Sequence, residues 1–286
     1  MTDGRRGSPS PGRLVLHVVR PAAGGMCRHI EAILAHIDQA RWPQGVVGPI
    51  SPAWKRCLKQ LGARVYPLTI ADGLDPAADL RAVGALRRLV GRLGPAVLHC
   101  HGSKAALVGR LAVLPGRVVP VLYAVHGQLL PEVNSLLVRG VKGRVERWLA
   151  GFTDHFVAVS RAVAAELQAL GIPPARITVL PNGVEARPFL LTSAERTAVR
   201  AKLRAQLGVA CGTPVIGTAA RLVPHKGLDV LLRAFAQTLV SLPPGAVLVL
   251  AGEGPERQRL AELAESLRIA DRVYFLGQVT EMPAFL

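Results

Sequence analysis

The sequence predicts an α/β protein made of two successive domains, each built on a doubly wound parallel sheet. Three observations carry this. Short Val/Leu/Ile runs alternate with longer Ala/Leu/Arg segments of helical period along the whole chain. The apolar runs are continuous, as parallel strands are when helices cover both faces. The rhythm breaks once, at Pro181-Asn182-Gly183, and a second strand–helix series follows a polar stretch.

The elements follow in order. Residues 1–12 are polar, Pro/Gly-rich and basic, and read as a disordered tail. The first domain, 13–186, has strands predicted over 14–19, 46–50, 64–68, 96–101, 119–125, 155–159 and 177–180. Helices are predicted between them, among others over 26–37, 76–93, 104–113, 133–150 and 162–170. The second domain, 187–286, opens with a helix over 194–207. It continues as strand 215–218, helix 228–239, strand 246–251, helix 256–267 and strand 272–276. Three strands leave a parallel sheet with a bare edge, and residues 281–286 read as the first turn of another helix, so this domain is expected to be incomplete.

Composition narrows the function classes. Of the 286 residues 50% are hydrophobic and 19% charged, enough to bury a core. Lys and Arg exceed Asp and Glu by 35 to 19, a formal charge of +16 that attracts anionic partners. Nucleic acid is not expected among them, since only 4% of residues are aromatic and no groove-reading motif occurs. Cys27, Cys57, Cys100 and Cys211 form no CxxC pair, which fits a reducing cytoplasm and suggests neither zinc knuckle nor disulfide framework. No apolar run reaches the length of a signal-peptide core or a membrane span.

Several segments can carry chemistry. Gly24-Gly25 follows the first strand and opens a helix, where bare backbone N–H groups can approach a phosphate or sugar; a plain turn explains it equally. Arg221 and Lys226 follow a strand and precede a helix, at the sheet edge where open α/β folds hold ligands. A forked guanidinium and an ammonium there can grip a diphosphate. Gly252-Glu253-Gly254 closes the next strand; Glu253 either meets a sugar or ribose hydroxyl or favours the helix N-terminus.

In the first domain, alternation puts His99 and His101 on one face of a strand and Cys100 on the other. Ser103 is the expected N-cap of the helix that follows. No further ligands stand at metal-site spacing, so no metal is expected. His126-Gly127 ends the next strand, and Ser160 is expected to cap a helix. The helix around 138–149 is basic with an apolar stripe, which can lie on an anionic membrane or be buried against the sheet.

Taken in order, these segments resemble the retaining GT-B glycosyltransferases of group 1, or family 4. The set is Gly24-Gly25, His101-Gly102-Ser103-Lys104, His126-Gly127, Val159-Ser160, Pro181-Asn182-Gly183-Val184, Arg221 with Lys226-Gly227, Gly252-Glu253-Gly254 and Phe275-Leu276-Gly277. The resemblance implies two Rossmann-like domains and a cytoplasmic enzyme, at the inner face of the cell membrane if peripheral. It would move a sugar from a nucleotide-diphosphate sugar to a glycan, lipid-linked or small-molecule acceptor, often an envelope precursor, with anomeric configuration retained and no obligatory cofactor or metal. It assigns catalysis to His126, Arg221 and Lys226, with Gly24, Gly25, Gly252, Glu253 and Gly254 also on the donor. His101, Ser103 and Asn182 are candidates for the acceptor side. The family's pair of glutamates seven residues apart, downstream of Phe275-Leu276-Gly277, is missing from these 286 residues. The resemblance therefore also implies a truncated chain, crippled for want of that segment. A GT-B sugar-nucleotide epimerase and an inactive nucleotide-binding pseudoenzyme share the same architecture.

Overall fold

The computed structural model describes residues 14–21, 24–71, 73, 75–114, 116, 119–127, 136–279 and 282–285, with side chains from 140 onward in the helix that begins at Leu136. The tail expected over 1–12, and the first residues of the helix expected from Val133, lie outside them. The chain divides into two compact units, Met1–Val184 and Glu185–Leu286.

Unit 1 holds seven parallel strands: β1 (Val15–Val19), β2 (Gln44–Gly48), β3 (Arg64–Pro67), β4 (Val97–His101), β5 (Val121–Val125), β6 (His155–Ala158) and β7 (Ile177–Val179). Their order is β3-β2-β1-β4-β5-β6-β7, with the reversal between β1 and β4 that defines a doubly wound sheet. The helices are α1 (Gly25–His36), α2 (Pro52–Gln60), α3 (Pro76–Leu93), α4 (Ser103–Val113), α5 (Leu136–Ala150) and α6 (Arg161–Ala169). On one face Val19, Ile30, Leu34, Val46, Trp54 and Leu58 pack α1 and α2 onto the sheet. On the other, Leu16, Val18, Leu98 and Cys100 meet Leu86, Val90, Ala105 and Val108 of α3 and α4. Gly109 permits this approach, because a Cβ there would stand 2.3 Å from Cys100 Sγ.

Local signals set the helix ends. Asp75 caps α3 through Ala78 N–H at 3.0 Å, and Gly94, at φ 53°, ends it in the left-handed conformation. Ser160 caps α6, accepting from Val163 N–H at 3.2 Å. Arg110 of α4 is fully buried yet charged; it forks onto both Glu146 oxygens of α5 at 2.7 and 3.2 Å and lies over the Tyr123 ring. Burial against the sheet accounts for Leu149 and Ala150 of α5, but Val141, Val145 and Trp148 face outward beside Lys142, Arg144 and Arg147.

Unit 2 holds α7 (Ser193–Leu207), β8 (Val215–Ala219), α8 (Leu228–Thr238), β9 (Val247–Ala251), α9 (Arg257–Ser266), β10 (Val273–Gly277) and the single turn α10 (Met282–Phe285). The parallel order is β10-β9-β8. A reciprocal capping box between Thr192 and Glu195 starts α7. Leu232, Phe235, Leu260 and Ala264 of α8 and α9 cover one sheet face, over Leu248 and Leu250. Leu207 of α7 meets Val247 and Val249 on the other. β9 is buried throughout, whereas the edge strand β8 is largely exposed.

Candidate functional site

Each unit gathers polar residues at the C-terminal ends of its strands, and the two gatherings are chemically unlike. In unit 1 parallel register sets His17 of β1 beside His99 of β4, and Val19 beside His101. Strand alternation then puts all three rings on the face that α1 covers, and α1 contributes His29. His126 follows β5 directly. The five rings form one cluster: His99 and His101 have centroids 4.1 Å apart, His29 and His126 4.8 Å, and His101 and His126 5.4 Å. Hydrogen bonds join Gln44 Oε1 with His17 Nε2 (2.7 Å), His17 Nδ1 with His101 Nε2 (2.9 Å), and His101 Nδ1 with His126 Nε2 (3.1 Å).

Burial makes this cluster neutral. It pushes His17 and His126 down to about 4 and holds His99 and His101 well below the usual histidine value. Arg20 adds a repulsive charge beside His126. Neutral rings are the form that binds metals, and His17, His99 and His101, or His29, His101 and His126, each offer three nitrogens within 4.8 Å of one another. Sequence spacing gave no sign of this, because the rings come from two strands, a helix and the residue that follows a third strand.

The structure also relocates Ser103. It is the first residue of α4, and Gly102 occupies the N-cap without a side-chain bond. The cause is the turn at the end of β4: Gly102 adopts φ 84° with Arg20 and Met26 folded against it, so the helix begins one residue earlier than it would with a serine cap at 103. Ser103 is exposed next to buried His101. Gly24 and Gly25 lie at the start of α1, both exposed, with open space where a side chain would be. Asn182 is not part of this gathering, since it follows the edge strand β7 and β5 and β6 separate that strand from β4.

In unit 2 the strand ends carry exposed charge. Arg221 follows β8, and Lys226 ends a 3₁₀ turn, Pro224–Lys226, that leads through Gly227 at φ 62° into α8. Leu222, buried between them, anchors the loop, and Leu222 N–H donates to the Glu253 carbonyl at 3.0 Å. Gly252, at φ 146°, would place a Cβ 1.9 Å from the Ala220 carbonyl oxygen; at Gly254 the Leu222 oxygen stands at 2.2 Å. These two glycines are therefore required for the β8–α8 and β9–α9 loops to run in contact. Gly252 N–H reaches the Gly277 carbonyl at 2.7 Å, and a Cβ on Gly277 would stand 2.7 Å from Glu253 Oε1. Three loops are thus stacked at one edge, presenting Arg221, Lys226 and Glu253 to solvent. Neither cation has an ion pair among the described residues. With the α8 N-terminus behind them they can hold an anion by forked hydrogen bonds and point charge.

Comparison with known proteins places both edges in one family. Residues 23–187 match Glycosyltransferase Family 4, and 199–286 match Glycosyl transferases group 1. The GDP-mannose-dependent alpha-(1-6)-phosphatidylinositol monomannoside mannosyltransferase of Mycobacterium tuberculosis is 33% identical over 95% of this chain and 69% of its own length. The D-inositol 3-phosphate glycosyltransferase of Nocardia farcinica is also 33% identical, over 63% of this chain but only 41% of its own length. Among solved structures, Anabaena HepE in complex with UDP-glucose superposes with a TM-score of 0.77 at 25% identity, over 95% of this chain and 71% of its own. The fold is that of the GT-B glycosyltransferases. By both halves of its sequence, the chain belongs to the family 4, group 1 glycosyltransferases.

Proposed function

We propose that the protein is a retaining glycosyltransferase that moves a sugar from a nucleoside-diphosphate sugar to a glycan, lipid-linked or small-molecule acceptor. The observation that carries this is the pair of exposed, unpaired cations, Arg221 and Lys226, on a loop held rigid by Leu222, Gly252 and Gly254. As the bond between the sugar C1 and the diphosphate oxygen breaks, negative charge grows on that oxygen. Fixed positive charge there lowers the barrier. The acceptor hydroxyl attacks C1 from the face the diphosphate leaves, and its proton passes to the departing phosphate oxygen. Glu253 accepts from a sugar or ribose hydroxyl, and Gly24 and Gly25 offer bare backbone to the donor. His126 contacts the donor sugar. Because Arg221 and Lys226 supply the positive charge, this reading asks for no metal.

The donor base is open between the uridine and guanosine nucleotides named for the relatives. Incubation with UDP- and GDP-sugars tests the reading. Release of free nucleoside diphosphate only when acceptor is present, with the product anomer matching the donor, supports a retaining transferase. Turnover without acceptor, giving an epimerised sugar, would replace it with the epimerase reading.

The exposed Val141, Val145 and Trp148 beside Lys142, Arg144 and Arg147 support peripheral contact with the anionic inner face of the cell membrane. No helix among the described residues is long and apolar enough to cross a membrane. Flotation with anionic but not with neutral vesicles is the expected result.

A further inference from the structure

The hydrogen bonds through the histidine cluster have a direction, and the residue at the buried end sets it. Gln44 Nε2 donates to the Trp42 carbonyl at 2.5 Å, so its Oε1 faces His17 and can only accept. His17 must therefore carry its proton on Nε2. As a neutral ring it then has a bare Nδ1, which accepts from His101 Nε2–H. His101 is left with a bare Nδ1, which accepts from His126 Nε2–H. The last ring consequently ends with an unprotonated Nδ1.

Running the chain the other way needs one of two changes. Either His17 carries protons on both nitrogens, which its complete burial opposes by pushing it down to about 4, or the Gln44 amide turns over. The turned amide would set two carbonyl oxygens 2.5 Å apart. Around His126, Arg20 and the His29 ring both disfavour a cationic imidazolium.

We propose that Gln44 and His17 are positioning residues that hold His126 in its Nε2–H tautomer, leaving Nδ1 as a hydrogen-bond acceptor for a hydroxyl of the sugar ligand. The inference about the ligand rests on the reading that His126 contacts the donor sugar; the direction of the chain does not. An acceptor nitrogen selects a partner that brings its own proton. It favours a sugar hydroxyl and gives nothing to a carboxylate, a phosphate oxygen or a deoxy position. A neutral imidazole that presented N–H instead would take a carboxylate or phosphate oxygen as readily as a hydroxyl.

His99 stands outside this chain. Its Nε2 is buried with no hydrogen-bond partner, and its ring packs on His101. The competing use of these rings is a transition-metal site on His17, His99 and His101. A metal there would claim the lone pairs that the chain uses, so the two arrangements exclude one another.

The test is a long-range 1H–15N correlation spectrum of the 15N-histidine-labelled chain near neutral pH, which reads protonated and bare ring nitrogens directly. The proposal expects His17, His101 and His126 each as Nε2–H with bare Nδ1. Nδ1–H at any of the three, or an imidazolium, overturns it. Gln44→Met removes the acceptor while keeping the length of the side chain, and should give a tautomer mixture at His126. It should also lower sugar-nucleotide turnover about fivefold to tenfold, the value of one hydrogen bond, and erode discrimination against the matching deoxy sugar. If Gln44→Met does not fold, the wild-type spectrum alone decides. Stoichiometric Zn2+ uptake, measured by competition with a chromophoric chelator and lost in His99→Ala, would overturn the chain in favour of the metal. Expected tautomers with unchanged turnover in Gln44→Met would leave the chain standing and remove His126 from the sugar.

Discussion

The two sheets solve the same problem in opposite ways. Unit 1 buries its strand-end polar groups, and burial keeps the five clustered histidines of that edge neutral, with His17, His101 and His126 joined by hydrogen bonds. Unit 2 leaves Arg221, Lys226 and Glu253 in water and puts its precision into the backbone, where glycines let three loops touch. A neutral, desolvated edge suits hydroxyl groups, since it can accept or donate a hydrogen bond without carrying charge. A cationic, solvated edge suits phosphates, which arrive with their own charge and lose less by staying partly hydrated. This contrast is what the proposed division between sugar and diphosphate recognition asks of the two units.

The comparison can be broken most sharply at the cations. Arg221→Ala and Lys226→Ala should each lower turnover of a sugar nucleotide by about 100-fold to 1000-fold, with the fold unchanged by circular dichroism. An effect below tenfold would mean that the charge of unit 2 is only a solvated loop. Next in size is the pH response of unit 1. Its five clustered histidines titrate lower in the folded chain than the ordinary value of 6.5, so on acidification the unfolded chain takes up protons first. Their contribution to stability is complete above about pH 6.5 and is lost as pH falls to about 4. His17 alone, fully buried, corresponds to about 3 kcal/mol. Trp42, Trp54 and Trp148 all lie in unit 1, so tryptophan fluorescence during denaturant titration follows that unit. Its midpoint should fall across this window.

Gly252→Ala probes the opposite unit. A Cβ at φ 146° and 1.9 Å from a carbonyl oxygen forces the loops apart, at a cost of about 2–3 kcal/mol. Nucleotide binding should weaken while tryptophan fluorescence stays as in the wild type. The smallest effect is expected at Ser160→Ala, where loss of the α6 cap should cost about 1 kcal/mol of unit 1 stability without altering turnover beyond that.

Much of this architecture was legible in the sequence because its signals are local. The continuous apolar runs mark every strand to within two residues, and the helix predicted over 76–93 has those bounds in the structure, with Asp75 capping it and Gly94 ending it. The cations and glycines of unit 2 were equally visible, since each loop sits between a strand and a helix. What stayed hidden depends on strand order. His17 and His29 carry no signal in the sequence, and their role emerges only when β1 pairs with β4 and α1 covers that face. Alternation placed His99 and His101 together but could not supply their neighbours. Gln44 gave no signal, and only the sheet shows that it faces His17. The buried Arg110 is invisible for the same reason, its partner Glu146 being 36 residues away. Ser103 misled because a serine after a strand is a common cap, whereas here the positive φ of Gly102 takes that place. The outward stripe of α5 could not be told from a buried one, because helical period records a face without saying what covers it.

The most direct test of the account is calorimetric titration of UDP and of GDP into the wild-type chain and into the Arg221→Ala/Lys226→Ala double variant, at two salt concentrations. The account predicts saturable one-to-one binding of at least one nucleotide to the wild type, weakening with salt and abolished in the double variant. Undiminished binding in the double variant would contradict it, since the diphosphate would then be held by other residues.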